Sequence, residues 1–477
     1  MNATSDPVVS DSARLSPWDG VSIIIGIVVG VSIFESPRII FSNVSGPVSA
    51  LAVWVLGGVL SLIGALCYAE LTTTYPQSGG DYAYLKRAYG NWVGFLFGWA
   101  QLVAILTGSI GAMAYVFANY GGRLFGLPAD SSHAWLAASV VGTLAIANLF
   151  GVVVGKSVQN LLTLLKLFGV FCIIVAGLVF GGDSSLAPAA VQGPGFGLAM
   201  ILVLYAYGGW NDAAFVAAEV RDRQRNLPRV LLIGTGSITV IYLLVNAGYL
   251  WALGFEGARN SQAPAADVLR QALGPLGERA MSVLVMISAL GAVNGMLYTG
   301  SRVYASLGAD HRVFAFLGRW NPYLRTPIWS IIVPALIAVA MICGVGTAGG
   351  RDVLDRALQT IGLSPLPWDQ YGAGFETLVA GTAPVFWLFF LLTGLSLFVL
   401  RSKDRDVARP FRVPLFPVTP VIFCLTSVYM LYSSLIYARQ LALIGIIPLI
   451  IGLPLYWISR SDSASGTDAT QHPSQGT

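Results

Sequence analysis

Two apolar stretches, residues 18–42 and 196–220, are each long enough to cross a lipid bilayer, and each is interrupted near its middle. The interruptions are Gly30-Val31-Ser32 in the first and Gly208-Gly209-Trp210-Asn211-Asp212 in the second. A helix broken at that depth leaves backbone N–H and C=O groups where lipid cannot solvate them, so a break is tolerable only where it faces protein or a water-filled cavity. Two such breaks in one chain point to an enclosed polar site.

Composition demands lipid as the solvent. Hydrophobic residues make up 55% of the 477 and charged residues 10%, with a mean hydropathy of +0.71; an ordinary soluble domain carries roughly 25% charged residues. Windows of about 20 residues predict an all-α membrane protein of twelve spans, near 18–42, 48–74, 91–120, 133–152, 158–180, 196–220, 229–254, 279–307, 328–347, 376–400, 417–438 and 441–459. Residues 1–17 are polar and acidic, with Asp6 and Asp11. They lack the basic-then-apolar pattern of a cleavable signal and are expected to remain as an N-terminal tail. The membrane-spanning region then runs over 18–460, and the Ser/Thr/Gly/Gln-rich residues 461–477 are expected to stay disordered. An insertion at 348–375 is expected to be a loop with a short surface helix.

Most of the 27 basic residues, Arg221, Arg223, Arg225 and Arg229 among them, fall in loops on the side shared by both termini. The positive-inside rule makes that side cytoplasmic and the location the cell membrane. The net charge of +4 follows from this bias and gives no reason to expect a nucleic-acid partner. Cys67, Cys172, Cys343 and Cys424 all lie in spans, where a thiol packs as a small apolar group, so neither a disulfide framework nor a metal site is expected. His133, His311 and His472 form no ligand set with cysteine, and no phosphate-binding Gly-x4-Gly-Lys-Ser/Thr loop is present. No cofactor and no enzyme activity are expected.

The breaks fall in spans one and six, the first members of two successive five-helix sets (18–180 and 196–400). Paired interruptions at corresponding positions are the pattern of inverted-repeat transporters, with spans eleven and twelve (417–459) outside the repeat.

Particular residues carry a resemblance. Leu204-Tyr205-Ala206-Tyr207-Gly208-Gly209-Trp210-Asn211, followed by Glu219 and Arg225-Asn226-Leu227-Pro228-Arg229, resembles the sixth helix and following loop of L-type amino acid transporters, in the amino acid, polyamine and organocation superfamily. Tyr68-Ala69-Glu70-Leu71 with Pro76-Gln77-Ser78-Gly79-Gly80-Asp81-Tyr82 resembles the second helix and inner loop. Asn294-Gly295 through Ser301-Arg302-Val303 resembles the eighth helix, and Arg409-Pro410-Phe411-Arg412-Val413-Pro414 the loop before helix eleven. The likeness covers roughly 18–460. It implies a leucine-transporter-type fold with helices one to five and six to ten as inverted repeats.

An amino acid is a zwitterion, so a dry pocket must offer donors to its carboxylate and acceptors to its ammonium. Broken helices offer both: free N–H groups at the positive end of the half-helix beginning near Ile33, and free carbonyls where half-helices end near Val29 and Tyr207. The resemblance puts the carboxylate-binding turn at Gly30, Val31 and Ser32 and the amine-binding carbonyls at Val28, Tyr205, Ala206 and Gly208. The family usually reads Gly-Ser-Gly-Ile-Phe where this chain reads Gly30-Val31-Ser32-Ile33-Phe34. Loss of the second glycine narrows backbone freedom and moves the hydroxyl by one position. Glu35, where the family often has an apolar or basic residue, is placed to pair with Arg38 one turn on.

Lys166 is the one basic residue well inside a predicted span. Its ammonium must meet carbonyls, a carboxylate or water, unless its stem snorkels to an interface. By resemblance it replaces a sodium ion beside the first break, which implies sodium-independent transport. Resemblance also makes Tyr205 a gate over the substrate, against ordinary core packing. Asn211 either donates to substrate or caps the second half-helix. Ser109, Gly291 and Asn294 stand either on the pocket wall or at ordinary close helix contacts. Glu70 and Glu219 read as ion-pair partners near the inner ends of helices, and a proton-carrying role is one reading of Asp212.

The expectation is a secondary carrier of amino acids, neutral ones first, working by alternating access. Cationic amino acids or polyamines are the alternative substrates; a channel or a membrane-embedded enzyme is the alternative class. Protons are left open as a second transported species. Residues 121–132 contain no cysteine, so no disulfide-linked heavy chain is expected.

Overall fold

The computed structural model describes residues 15–459 apart from Val31, Ser78, 128–130, Gly151, 183–186, Ala189, 192–194, Gln262, Arg325, Pro367 and 369–373. Both tails, Val31 and the Glu35 side chain therefore lie outside the described residues, and with them the expectations they carried. No β-strand occurs among the described residues; two isolated bridges, Leu15 to Val220 and Asn321 to Thr326, are the only extended pairings there.

The chain opens with α1 (Pro17–Val28) and α2 (Ser32–Ser42), which together cover the first predicted span. The start of α1 follows from local chemistry. Ser16 Oγ accepts the Asp19 N–H at 3.2 Å, Asp19 Oδ2 accepts the Ser16 N–H at 2.9 Å, and Pro17 stands where no N–H is needed, a reciprocal cap. Next come α3 (Pro47–Thr74), the short α4 (Asp81–Tyr89), and α5 (Asn91–Ala100), which runs through a π-helical turn at Gln101–Ile105 into α6 (Leu106–Phe125). The first set closes with α7 (Ser131–Leu149) and α8 (Val152–Phe180).

The second interrupted span is α9 (Phe196–Ala206), a turn, and a 3-10 helix at Trp210–Glu219. It is followed by α10 (Arg223–Asn260), kinked at Gly254, then α11 (Pro264–Leu273), α12 (Leu276–Asp310), α13 (Trp329–Gly346), the surface helix α14 (Ala348–Thr360) and α15 (Phe375–Lys403). Helix α16 (Val418–Ala438) passes through a 3-10 turn at Arg439–Ala442 into α17 (Leu443–Ser459).

Among the described residues nine helical stretches are long and apolar enough to cross a membrane. This differs from the twelve predicted spans for two physical reasons. The halves of the broken spans are too short to cross alone, and α16 and α17 follow one another as a single apolar stretch, Val418–Ser459, in which the chain turns at Arg439 (φ 46°, ψ −118°), so that the two helices still match the last two predicted spans.

Helix α8 shows how the bundle sorts its faces. At helical spacing, Lys156 and Asn160 meet the Asp19 carboxylate at 3.2 and 3.0 Å, Thr163 Oγ1 donates to the Ser22 carbonyl at 3.2 Å, and Lys166 reaches Gly26. Gly26 permits this approach, since a Cβ there would fall 1.9 Å from Gln159 Nε2 and 2.6 Å from Thr163 Oγ1. The opposite face of α8 exposes Leu161, Leu164, Phe168 and Phe171, an arrangement suited to hydrocarbon rather than water.

Candidate functional site

The two interruptions meet. Gly209 has φ +103°, and a Cβ on it would stand 2.8 Å from Ile27 Cγ2, so the turn after α9 lies directly against the end of α1. Glycine meets both demands: a backbone conformation that L side chains avoid and contact with no room for a methyl group.

The carbonyl end of α1 is held by side chains from three helices. Lys166 Nζ on α8 donates to Gly26 O at 2.7 Å, Tyr242 Oη on α10 to Val28 O at 2.8 Å, and Ser288 Oγ on α12 to Val29 O at 3.1 Å. The Tyr242 hydroxyl also lies 2.9 Å from Ala206 O, at the end of α9. Its single proton is therefore shared between the carbonyl ends of two half-helices. Each carbonyl retains a second lone pair, so acceptors remain for an ammonium group. Trp54, Tyr207 and Tyr242 pack around this bridge with centroids 5.1–6.1 Å apart, and Tyr207 Oη donates to Trp54 O at 3.0 Å.

Across the gap, α2 begins at Ser32 and presents the N–H groups of its first turn, the positive end of a helix dipole. Gly30 is buried just before it, while Val31 lies outside the described residues. Ser36 Oγ donates to Ser32 O, and Tyr249 Oη to Ile33 O at 3.4 Å. On the second break, the Tyr205 carbonyl accepts the Gly208 N–H at 3.0 Å. Gly208 is exposed there and lines a small cavity with Leu60, Leu204, Trp210, Phe386 and Phe390. Asn211 is buried with its Oδ1 unpartnered. A buried amide oxygen without a donor costs roughly 1–3 kcal/mol, which an incoming N–H group would relieve.

The remaining predicted residues are distributed around this centre. Gly291 backs the lysine: a Cβ there would meet Lys166 Nζ at 3.4 Å and Gly26 O at 3.6 Å. Asn294 is fully engaged between helices, donating to Gln159 Oε1 at 2.9 Å and Gly155 O at 3.3 Å and accepting from Asn148 at 2.8 Å. Ser109 Oγ bonds back to Ile105 O at 2.8 Å, at the end of the π turn. Tyr205 neighbours Tyr437 of α16, so in this conformation Tyr207 is the tyrosine packed into the cluster at the break. Tyr242 and Ser288 were not anticipated from sequence. A tyrosine in the middle of an apolar span was the available signal, because its hydroxyl needs a partner wherever it is buried.

At one end of the bundle lie two ion-pair clusters. Glu219 and the buried Arg302 are 2.6 Å apart, with the Tyr298 hydroxyl on the same carboxylate at 3.2 Å. Glu70 takes Arg401 through both oxygens at 2.8 and 2.5 Å and also accepts the Val413 N–H at 2.6 Å. Among the described residues no group of three or more His, Cys, Asp or Glu side chains is placed to hold a metal ion.

Residues 15–457 match the family model described as amino acid permease. The chain is 31% identical to the human b(0,+)-type amino acid transporter 1 over 427 residues, 87% of this chain and 81% of that protein. It is 29% identical to the serine/threonine exchanger of Bacillus subtilis (strain 168) over 460 residues, 93% of this chain and 96% of that one. It is 30% identical to the mouse large neutral amino acids transporter small subunit 2 over 449 residues, 91% and 79% respectively.

Proposed function

The chain belongs to the amino acid permease family, and from that premise we propose that it is a sodium-independent secondary carrier of neutral amino acids working by alternating access. It is a multi-pass membrane transporter and not an enzyme. The observation that carries the reading is the meeting of two broken helices across Ile27 and Gly209, with their carbonyl ends bridged by Tyr242. Such a centre can receive both charges of a zwitterion without water. The amine binds among the carbonyls of Val28, Tyr205, Ala206 and Gly208, the carboxylate at the turn formed by Gly30, Val31 and Ser32, and Asn211 completes the shell. Ser109, Gly291 and Asn294 line or back the pocket, and Tyr205 closes over it.

Lys166 replaces a bound cation. Its ammonium neutralises the negative end of α1 at Gly26 O, which removes the need for sodium at that point. Neutral substrates are supported by two relatives, one named for large neutral amino acids and one for serine and threonine. The architecture assigned is twelve crossings with α1 to α8 and α9 to α15 as inverted halves and both termini cytoplasmic. One relative is named as a small subunit; without a cysteine in residues 121–132, no disulfide-linked partner is assigned here.

The test is counterflow in sealed liposomes. Purified protein loaded with unlabelled serine or leucine should accumulate the labelled amino acid saturably, equally in sodium and in potassium buffer. An ohmic conductance without saturation would replace the carrier with a channel, and strict sodium dependence would remove Lys166 from its assigned role.

A further inference from the structure

The 3-10 helix that follows the second break carries a second buried acid, Asp212, which the substrate site does not use. Its side chain is 6% exposed and has no hydrogen-bond or ion-pair partner among the described residues. The charged group acting on it is another carboxylate, Asp81, at the first position of α4. The 3-10 helix lies against the turn that leads into α4. Gly79 N–H donates to Phe215 O at 3.2 Å, and a Cβ on Gly80 would stand 2.9 Å from the Ala214 carbonyl carbon.

Asp81 is itself 2% exposed. Its Oδ1 accepts Tyr68 Oη at 2.5 Å and Thr393 Oγ1 at 2.7 Å, while its Oδ2 is buried without a partner. The other groups facing the pair are phenols: Tyr84, whose hydroxyl is also unpartnered, and Tyr304, whose hydroxyl donates to Gln101 O at 3.1 Å. The nearby cations are committed elsewhere. Arg302 pairs with Glu219, Arg401 and Arg409 with Glu70, Lys86 with Asp310, and Lys166 with Gly26 O. Two interior carboxylates of like charge with no cation between them cannot both stay ionised without a large electrostatic cost. The unpartnered Oδ2 of Asp81 is a free acceptor for one proton.

Resting on the carrier reading above, we propose that Asp212 and Asp81 together bind one proton, and that this proton moves inward with the substrate. With the proton bound, the pair carries one negative charge and the 3-10 helix can pack on the Gly79-Gly80 turn that leads into α4. When the proton leaves to water on the cytoplasmic side, two negative charges face each other and the helix separates from that turn, which opens that side. A ligand that favours one of two states shifts the balance by its differential affinity, so the proton and the substrate become coupled through the same segment. Per cycle, one zwitterion and one proton enter, and one positive charge moves with them.

The experiment uses the full-length protein in liposomes with valinomycin and potassium holding the membrane potential at zero. Counterflow at equal pH on both sides reports the carrier alone; uptake into empty liposomes with acid outside, read together with an internal pH dye, reports proton coupling. The expected result is accumulation approaching about tenfold per pH unit of gradient, the limit for one proton per substrate, with acidification of the lumen. Asp212→Asn should lose the gradient-driven accumulation while retaining counterflow, and Asp81→Asn should do the same. Wild-type protein with normal counterflow but no response to the gradient overturns the proposal, whatever the variants do. So does undiminished accumulation in Asp212→Asn. If wild-type counterflow is absent, the carrier reading fails first and the proton site falls with it.

Discussion

Lys166 and Gly26 are joined by a 2.7 Å hydrogen bond from the ammonium to the peptide carbonyl, linking α8 to the last turn of α1 just before the break. The lysine is fully buried, and a hydrogen bond to a charged group contributes about 1.5–3 kcal/mol. Lys166→Ala leaves that carbonyl and its neighbours without their cation, so counterflow of any accepted amino acid should fall by an order of magnitude or more. The measurement is initial uptake rate per folded protein, with folding checked by gel filtration. Near-normal rates would show that the ammonium only fills space.

Tyr242→Phe keeps the aromatic cluster and removes one proton shared by Val28 O and Ala206 O. Two buried carbonyls then lose a donor, at a cost of about 1–3 kcal/mol. The expected outcome is a lower melting temperature without substrate and a smaller loss with saturating substrate, because an ammonium group takes over the vacated lone pairs. Equal losses in both conditions would place the hydroxyl outside the substrate's reach.

How much of this was legible beforehand differs from residue to residue. The breaks at Gly30 and Gly208-Gly209 stood out because small residues interrupt an apolar run, and the structure breaks both helices there. Lys166 stood out because a charge inside a span requires a partner. Tyr242 and Ser288 did not: a mid-span hydroxyl signals that some partner is needed, but their partners are backbone carbonyls far away in sequence, which no residue type marks. Helix α4 read as part of an inner loop because its Lys86, Arg87 and Asp81 break the apolar pattern. The last two helices were legible as well: the predicted spans 417–438 and 441–459 coincide with Val418–Ala438 and Leu443–Ser459, and the turn at Arg439–Ala442 divides them.

Gly209→Ala tests the contact between the breaks. The new methyl group meets Ile27 at 2.8 Å on a backbone with φ +103°, and a strained position of this kind costs on the order of 1–3 kcal/mol. Gly236→Ala is the control, because nothing lies within 4 Å of its Cβ position on α10 and alanine favours a helix by up to about 1 kcal/mol. The first substitution should lower the melting temperature and abolish counterflow; the second should leave both unchanged or raise stability slightly. A Gly209→Ala protein with full activity would mean that the breaks separate easily.

Asp404, just beyond α15, predicts a pH dependence. The Arg87 guanidinium hydrogen-bonded to it at 2.5 Å holds its carboxyl below the usual carboxylate range, with Tyr75 Oη adding a second donor at 2.7 Å. A depressed carboxyl stabilises the fold fully above its unfolded value of about 3.9, and the contribution disappears as pH falls through the folded value. Melting temperature should therefore decline as the buffer is taken below about pH 4, with a weaker decline in Asp404→Asn. An identical acid profile in the variant would show that the pair is too exposed to matter.

Glu219 and Arg302 are buried together at 2.6 Å, and the backbone of Glu219 also accepts the Leu15 N–H at 2.8 Å while Arg221 N–H donates to Leu15 O at 3.1 Å. The pair thus fixes the end of the 3-10 helix to α12 and to the segment entering α1. Removing one partner of a buried pair strands the other charge, at a cost of about 3–5 kcal/mol. Arg302→Met should accordingly be severely destabilising, with Glu219→Gln less so because Tyr298 Oη and the Arg302 contacts to Tyr298 O and Ser301 Oγ remain. The double variant Glu219→Gln/Arg302→Met removes both charges and should recover most of the melting temperature lost in Arg302→Met. If transport returns with it, the pair serves packing alone; if stability returns while counterflow stays low, the ionic contact is itself part of the opening of this end of the bundle.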